Sequence, residues 1–100
     1  MATRSFIYLR RAEGGYTKTY CHFDGYRSHM LPALRLVDRA ELAKHQSVRQ
    51  IRDDGSLDLF DDDGGRREPT ITHYVPKKDL VDFAYIEQPD GTFNSISYYA

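Results

Sequence analysis

Residues 20 to 26 read Tyr-Cys-His-Phe-Asp-Gly-Tyr, which sets a thiol, an imidazole, a carboxylate and three aromatic rings in one short run. On an extended strand Tyr20, His22 and Asp24 project to one face, and Cys21 and Phe23 to the other. His22 with Asp24 could orient an imidazole as a general base, with the Tyr20 hydroxyl as proton donor. Their Cα atoms would lie roughly 6.5–7 Å apart at the usual strand rise, so only particular rotamers would join them. The plainer alternative carries more weight: Asp24 caps a turn with Gly25, and His22 bonds a neighbouring backbone group. Cys21 and His22 are adjacent, point opposite ways and cannot form a nucleophile–base dyad. A buried, inert thiol packing as a small hydrophobe is expected instead.

Other site chemistries meet similar obstacles. A metal would draw on His22, Asp24, His29 and His73, whose spacings match no zinc signature, and a single cysteine rules out a structural thiolate site. Gly14-Gly15 and Gly64-Gly65 read as turn glycines, since neither pair leads from a strand into a helix as a phosphate-cradling loop must. No metal, cofactor or catalytic residue is therefore assigned. Stacked rings could still hold a nucleotide between Tyr8, Tyr20 and Tyr26, with Arg4 and Arg27 nearby. Of the adjacent Tyr98 and Tyr99, one ring faces each side of the last strand, so one is exposed as a contact anchor. Candidate binding residues are thus Tyr8, Tyr20, His22, Asp24, Tyr26, Arg27 and Tyr99. Arg10-Arg11 and Arg66-Arg67 could meet an acidic partner and Asp61 to Asp63 could mimic phosphates, although such runs are usually solvated loop ends.

The elements that position these residues alternate between hairpins and short helices. Residues 5 to 24 form two β-rich runs around Glu13-Gly14-Gly15. A two-residue loop would set Phe6 and Tyr8 beside Cys21 and Phe23. A three-residue loop with a glycine bulge instead groups Ile7, Leu9, Cys21 and Phe23, leaving Phe6, Tyr8, Tyr20, His22 and Asp24 opposite. The second register separates aliphatic from polar-aromatic side chains better and is preferred. Residues 28 to 45 carry Leu31, Leu34, Leu36 and Val37 at helical spacing, with Pro32 tolerable only in a first turn. Asp38 and Glu41 resemble a capping box, so one kinked helix or two short ones are expected. Asp54-Gly55 marks a second hairpin, residues 61 to 69 a surface loop and residues 70 to 75 a strand. A short helix is expected from Pro76 or Lys77, then a last hairpin turning at Pro89-Asp90-Gly91. The expected fold is α+β in a single domain over residues 1–100: a small, mostly antiparallel sheet built from hairpins, with short helices packed on one face.

Bulk properties narrow the function classes. A formal charge of -1 argues against a protein that clamps duplex DNA through phosphates, and equally against an acidic DNA mimic. There is no apolar run of membrane-spanning length and no signal peptide, and the single cysteine suits a reducing compartment, so a cytoplasmic protein away from membranes is expected. Eight tyrosines and five phenylalanines favour strands and also suit a contact surface, because such rings offer area at low entropic cost. Sheet edges at both ends could pair two copies as a symmetric dimer.

Three stretches carry a resemblance. Thr3-Arg4-Ser5, the run Tyr20 to Tyr26 and the closing Phe83-Ala84-Tyr85-Ile86-Glu87-Gln88-Pro89-Asp90-Gly91-Thr92-Phe93 resemble a family of small proteins encoded by bacteriophages, prophages and their hosts. In that family the second motif reads Tyr-Cys-His-Trp-Asp-Gly-Tyr, and Phe23 stands here in the tryptophan place. The likeness is specific over the first 26 residues and loose beyond them. The chain departs from the pattern after the motif, where many relatives have a glycine and a longer leucine-bearing helix. The resemblance implies a setting rather than a mechanism. It points to a small protein that binds a host protein without catalysis, with counter-defence, including inhibition of a CRISPR effector, as its sharpest form. The alternative is a protein that sequesters or hydrolyses a nucleotide or other small ligand around the motif.

Overall fold

The computed structural model describes residues 2–60 and 68–99. Eight strands and two helices follow in the order β1 (Ser5–Arg10), β2 (Tyr16–Cys21), α1 (Arg27–Leu36), α2 (Arg39–Leu42), β3 (Ser47–Val48), β4 (Gln50–Ile51), β5 (Leu57–Asp58), β6 (Thr70–Thr72), β7 (Phe83–Glu87) and β8 (Phe93–Ser97). The fold is α+β, as expected: a six-stranded, mostly antiparallel sheet and a separate β4–β5 ribbon. The path through the main sheet is β3-β2-β1-β7-β8, with β6 also pairing β2. Two pairs, β1 with β7 and β2 with β3, run parallel.

Three hairpins share one turn. In each, two residues close a three-residue loop: Arg11 N–H donates to the Gly15 carbonyl at 3.0 Å, Arg52 to Ser56 at 2.8 Å and Gln88 to Thr92 at 2.8 Å. The last loop residue is Gly14, Gly55 or Gly91, with φ of 102°, 85° and 85°. That left-handed conformation disfavours any residue with a Cβ, which is why the loop ends on glycine each time.

This turn pins the register of the first hairpin. Ser5 pairs Cys21, Phe6 pairs Tyr20 and Ile7 pairs Thr19. Partners in register share a face, so Ile7, Leu9 and Cys21 lie on one side and Phe6, Tyr8 and Tyr20 on the other. The first side packs against the helices: Met30, Ala33, Leu34 and Leu42 join Ile7, Leu9, Cys21, Val48, Ile51, Phe83 and Tyr85 in the main core. A smaller cluster of Tyr8, Ala84 and Ile86 fills the second side beneath Val75, Ile96 and Tyr98.

Several local expectations are corrected. Pro32 sits in the body of α1 rather than its first turn. The N–H it lacks would have bonded the Ser28 carbonyl, and Ser28 and Pro32 both lie on the exposed side of the helix. Asp38 does cap α2, accepting from the Glu41 N–H at 3.1 Å, so the region is two short helices. Residues 76 to 82 form no helix. The Pro76 carbonyl accepts from the Tyr98 hydroxyl at 2.8 Å and the Leu80 carbonyl from Arg4 at 3.3 Å, so tertiary partners take helix acceptors in a segment too short to nucleate alone. Phe23 does not enter the core. The strand ends at Cys21, Asp24 turns the chain with φ of 56°, and the ring is left exposed. The loop expected at 61 to 69 falls largely outside the described residues.

Candidate functional site

Register gathers the motif at one end of the main sheet. β1 and β7 begin there, at Ser5 and Phe83, and β2 and β8 finish there, at Cys21 and Ser97. The segments just beyond those strand ends meet through backbone bonds. Gly25 N–H donates to the Thr3 carbonyl at 2.9 Å, Asp82 N–H to Arg4 at 2.9 Å and Tyr98 N–H to Asp82 at 2.9 Å. Beneath them the Tyr85 hydroxyl donates to the Gly25 carbonyl at 2.5 Å.

Large apolar side chains concentrate on this end. Among the described residues seven are exposed, and four of them belong here: Phe23 at 38%, Tyr26 at 43%, Leu80 at 89% and Tyr99 at 59%. One exposed leucine means little, whereas rings and a leucine grouped at one end of a sheet make that end the candidate surface. Two arginines accompany them. Arg27 donates to the Ser95 hydroxyl at 2.7 Å and lies 5.5 Å from the Phe83 ring, which the Tyr99 ring also meets edge-on at 5.5 Å. Arg4 reaches the Leu80 carbonyl, and its own N–H donates to Asp82 at 2.8 Å.

Apart from Asp24 and the buried Tyr8, the residues singled out from sequence separate into three groups. Tyr20 and His22 stay together on the second sheet face, where the hydroxyl and Nδ1 share a hydrogen bond of 2.7 Å. Burial raises the Tyr20 phenol above its ordinary value, with the nearby Arg4 pulling the other way. Asp24 does not reach His22. Its carboxylate accepts from the Gln50 amide, and the general-base pairing is not assembled. Tyr26 stands beside His29, 5.8 Å between ring centroids, and His29 in turn faces the Ile51 carbonyl at 2.6 Å and Asp53 at 3.2 Å. Arg27 and Tyr99 form the third group around Phe83.

Tyr8 is corrected from a surface contact to a core residue. It is fully buried between β1, β7 and the segment after β6, and burial holds its phenol well above the ordinary tyrosine range. Among the described residues its hydroxyl has no hydrogen-bond partner. A ring stack of Tyr8, Tyr20 and Tyr26 is therefore not formed. Cys21 is fully buried in the main core, its thiol pushed up to about 11 chiefly by burial. His22, Asp24 and His29 have separate partners, and no group of three metal-ligating side chains occurs among the described residues.

Sequence reasoning missed three contributors: Phe23, Leu80 and Arg4 as a neighbour of Leu80. Strand alternation points Phe23 inward, and the helix expected from Pro76 or Lys77 takes in Leu80. The signal available for Phe23 was Asp24-Gly25 directly after it, which ends the alternation one residue earlier. No family model matches the chain, and no curated protein or solved structure matches it.

Proposed function

We propose that this protein acts by binding another protein, without catalysis, through the sheet end that carries Phe23, Tyr26, Leu80 and Tyr99. The concentration of four exposed large apolar side chains at one end supports the reading most directly. Arg27 and Arg4 add the other residue type that dominates interface energetics, and both make contacts at this end. Tyrosine rings offer large contact area at low entropic cost, which favours affinity from a small surface.

The partner is a host protein in a phage or prophage setting, and counter-defence, such as inhibition of a CRISPR effector, is the specific form proposed. That setting rests on the motif resemblance of Thr3-Arg4-Ser5 and Tyr20 to Tyr26. Among the described residues no helix is long and apolar enough to cross a membrane, so the reading invokes none.

Affinity capture of the tagged chain from host lysate, with mass spectrometry of proteins and small molecules, tests this reading. One stoichiometric protein, lost when Tyr99 is replaced by alanine, supports it. A retained nucleotide with no protein partner sinks it.

A further inference from the structure

The second sheet face holds a cleft of about 330 Å³ lined by Phe6, Lys18, Tyr20, Gln46, Ser47 and Thr70. Its origin lies in the pairing of β2. That strand is flanked on its outer side by two strands end to end, with Tyr20 opposite Ser47 of β3 and Lys18 opposite Thr70 of β6. Phe6 pairs Tyr20 from the other side. Partners in register share a face, so these five side chains converge where the edge passes from one strand to the next.

The chemistry of the lining is lopsided. Lys18 Nζ lies 4.0 Å from the Phe6 centroid and 5.6 Å from that of Tyr8, and among the described residues no carboxylate pairs with it. An ammonium lodged against a ring keeps donors free for a second contact. Ser47 and Thr70 add hydroxyls and Gln46 an amide, while Phe6 and Tyr20 meet edge to face at 5.8 Å and supply an apolar wall. One cation and a few neutral donors suit a single negative charge. A phosphate dianion would call for an arginine fork or a run of backbone N–H groups, which this lining does not offer. The volume matches the lower end of small-molecule sites.

We propose that this cleft binds a small monocarboxylate with an apolar or aromatic body, its charge on Lys18 and its body against Phe6 and Tyr20. The site is separate from Phe23, Tyr26, Leu80 and Tyr99, so it stands or falls independently of the protein-binding surface.

The test is titration of the isotope-labelled full chain with 3-phenylpropanoate, followed by backbone amide shifts, beside the neutral 3-phenylpropanamide. Saturable shifts clustered at residues 6, 18, 20, 46, 47 and 70 are expected for the acid, with binding of the amide at least about ten-fold weaker. Lys18→Met keeps the aliphatic stem on the ring and is expected to weaken the acid to the level of the amide. Equal response to acid and amide, shifts centred elsewhere, or no saturable shift overturns the proposal. Undiminished binding of the acid to a folded Lys18→Met does the same, and the acid–amide comparison on the unmodified chain decides the matter should that variant not fold.

Discussion

The Tyr85 hydroxyl donates to the Gly25 carbonyl across 60 residues of sequence, tying the inner strand β7 to the turn that closes the Tyr20–Tyr26 motif. Tyr8, on the neighbouring strand and the opposite face, is as deeply buried, but its hydroxyl has no hydrogen-bond partner among the described residues. The two phenols therefore answer oppositely to the same change. Tyr85→Phe strands a buried carbonyl and is expected to cost about 1–2 kcal/mol in urea unfolding. Tyr8→Phe removes an unsatisfied hydroxyl and is expected to be neutral or stabilising by up to about 1 kcal/mol. A larger loss at Tyr8 than at Tyr85 would show the bonding to be assigned the wrong way round.

The shared hairpin turn makes a second comparison. Gly55 and Gly91 both hold φ of 85°, so alanine at either is expected to cost about 1–2 kcal/mol for the left-handed backbone. Only at Gly55 does the added Cβ run into backbone, 2.5 Å from the Leu36 carbonyl carbon and 2.7 Å from Val37 N, whereas at Gly91 it meets just Arg39 Nη1 at 3.7 Å. Overpacking then adds about 1–3 kcal/mol at Gly55. Thermal unfolding of Gly55→Ala and Gly91→Ala reads the difference, and equal midpoints would contradict it.

Local turn chemistry made the hairpins legible in the sequence. Glu13-Gly14-Gly15, Asp54-Gly55 and Asp90-Gly91 announce three loops, and the split of Ile7 and Leu9 from Phe6 and Tyr8 selects the register that the structure adopts. What stayed hidden depends on distant parts of the chain. Nothing near Tyr8 says that Val75 and Tyr98 will cover it, and nothing near Pro76 says that Tyr98 will take its carbonyl. The parallel pairing of β1 with β7 joins segments about 78 residues apart, beyond any periodicity signal. The gathering of Phe23, Tyr26, Leu80 and Tyr99 follows from that pairing, so Tyr26 and Tyr99 were legible singly while Phe23, Leu80 and the surface they share were not.

Cys21 carries a pH prediction. Its folded value of about 11 lies above the roughly 8.5 of a free thiol, so the unfolded chain loses the proton first. The stability tied to the neutral thiol is present in full below about pH 8.5 and declines as pH rises through about 11. Burial raises Tyr8 and Tyr85 in the same sense, extending the decline further into alkali. Iodoacetamide at pH 8 is expected to leave the folded protein unmodified over a period that fully labels it in denaturant. Comparable rates in the two states would contradict a sealed core at Cys21.

Protein binding through the sheet end can be read from one set of variants. The captured partner's affinity is measured against Phe23→Ala, Tyr26→Ala, Leu80→Ala and Tyr99→Ala, with Leu36→Ala as control. Leu36 is 62% exposed at the far end of α1 and serves as an apolar residue of similar exposure away from the surface. The account predicts losses of at least about ten-fold for two or more of the four variants, all folded, and no change for Leu36→Ala. Retention of the partner by all four, or a loss at Leu36 matching theirs, would contradict it.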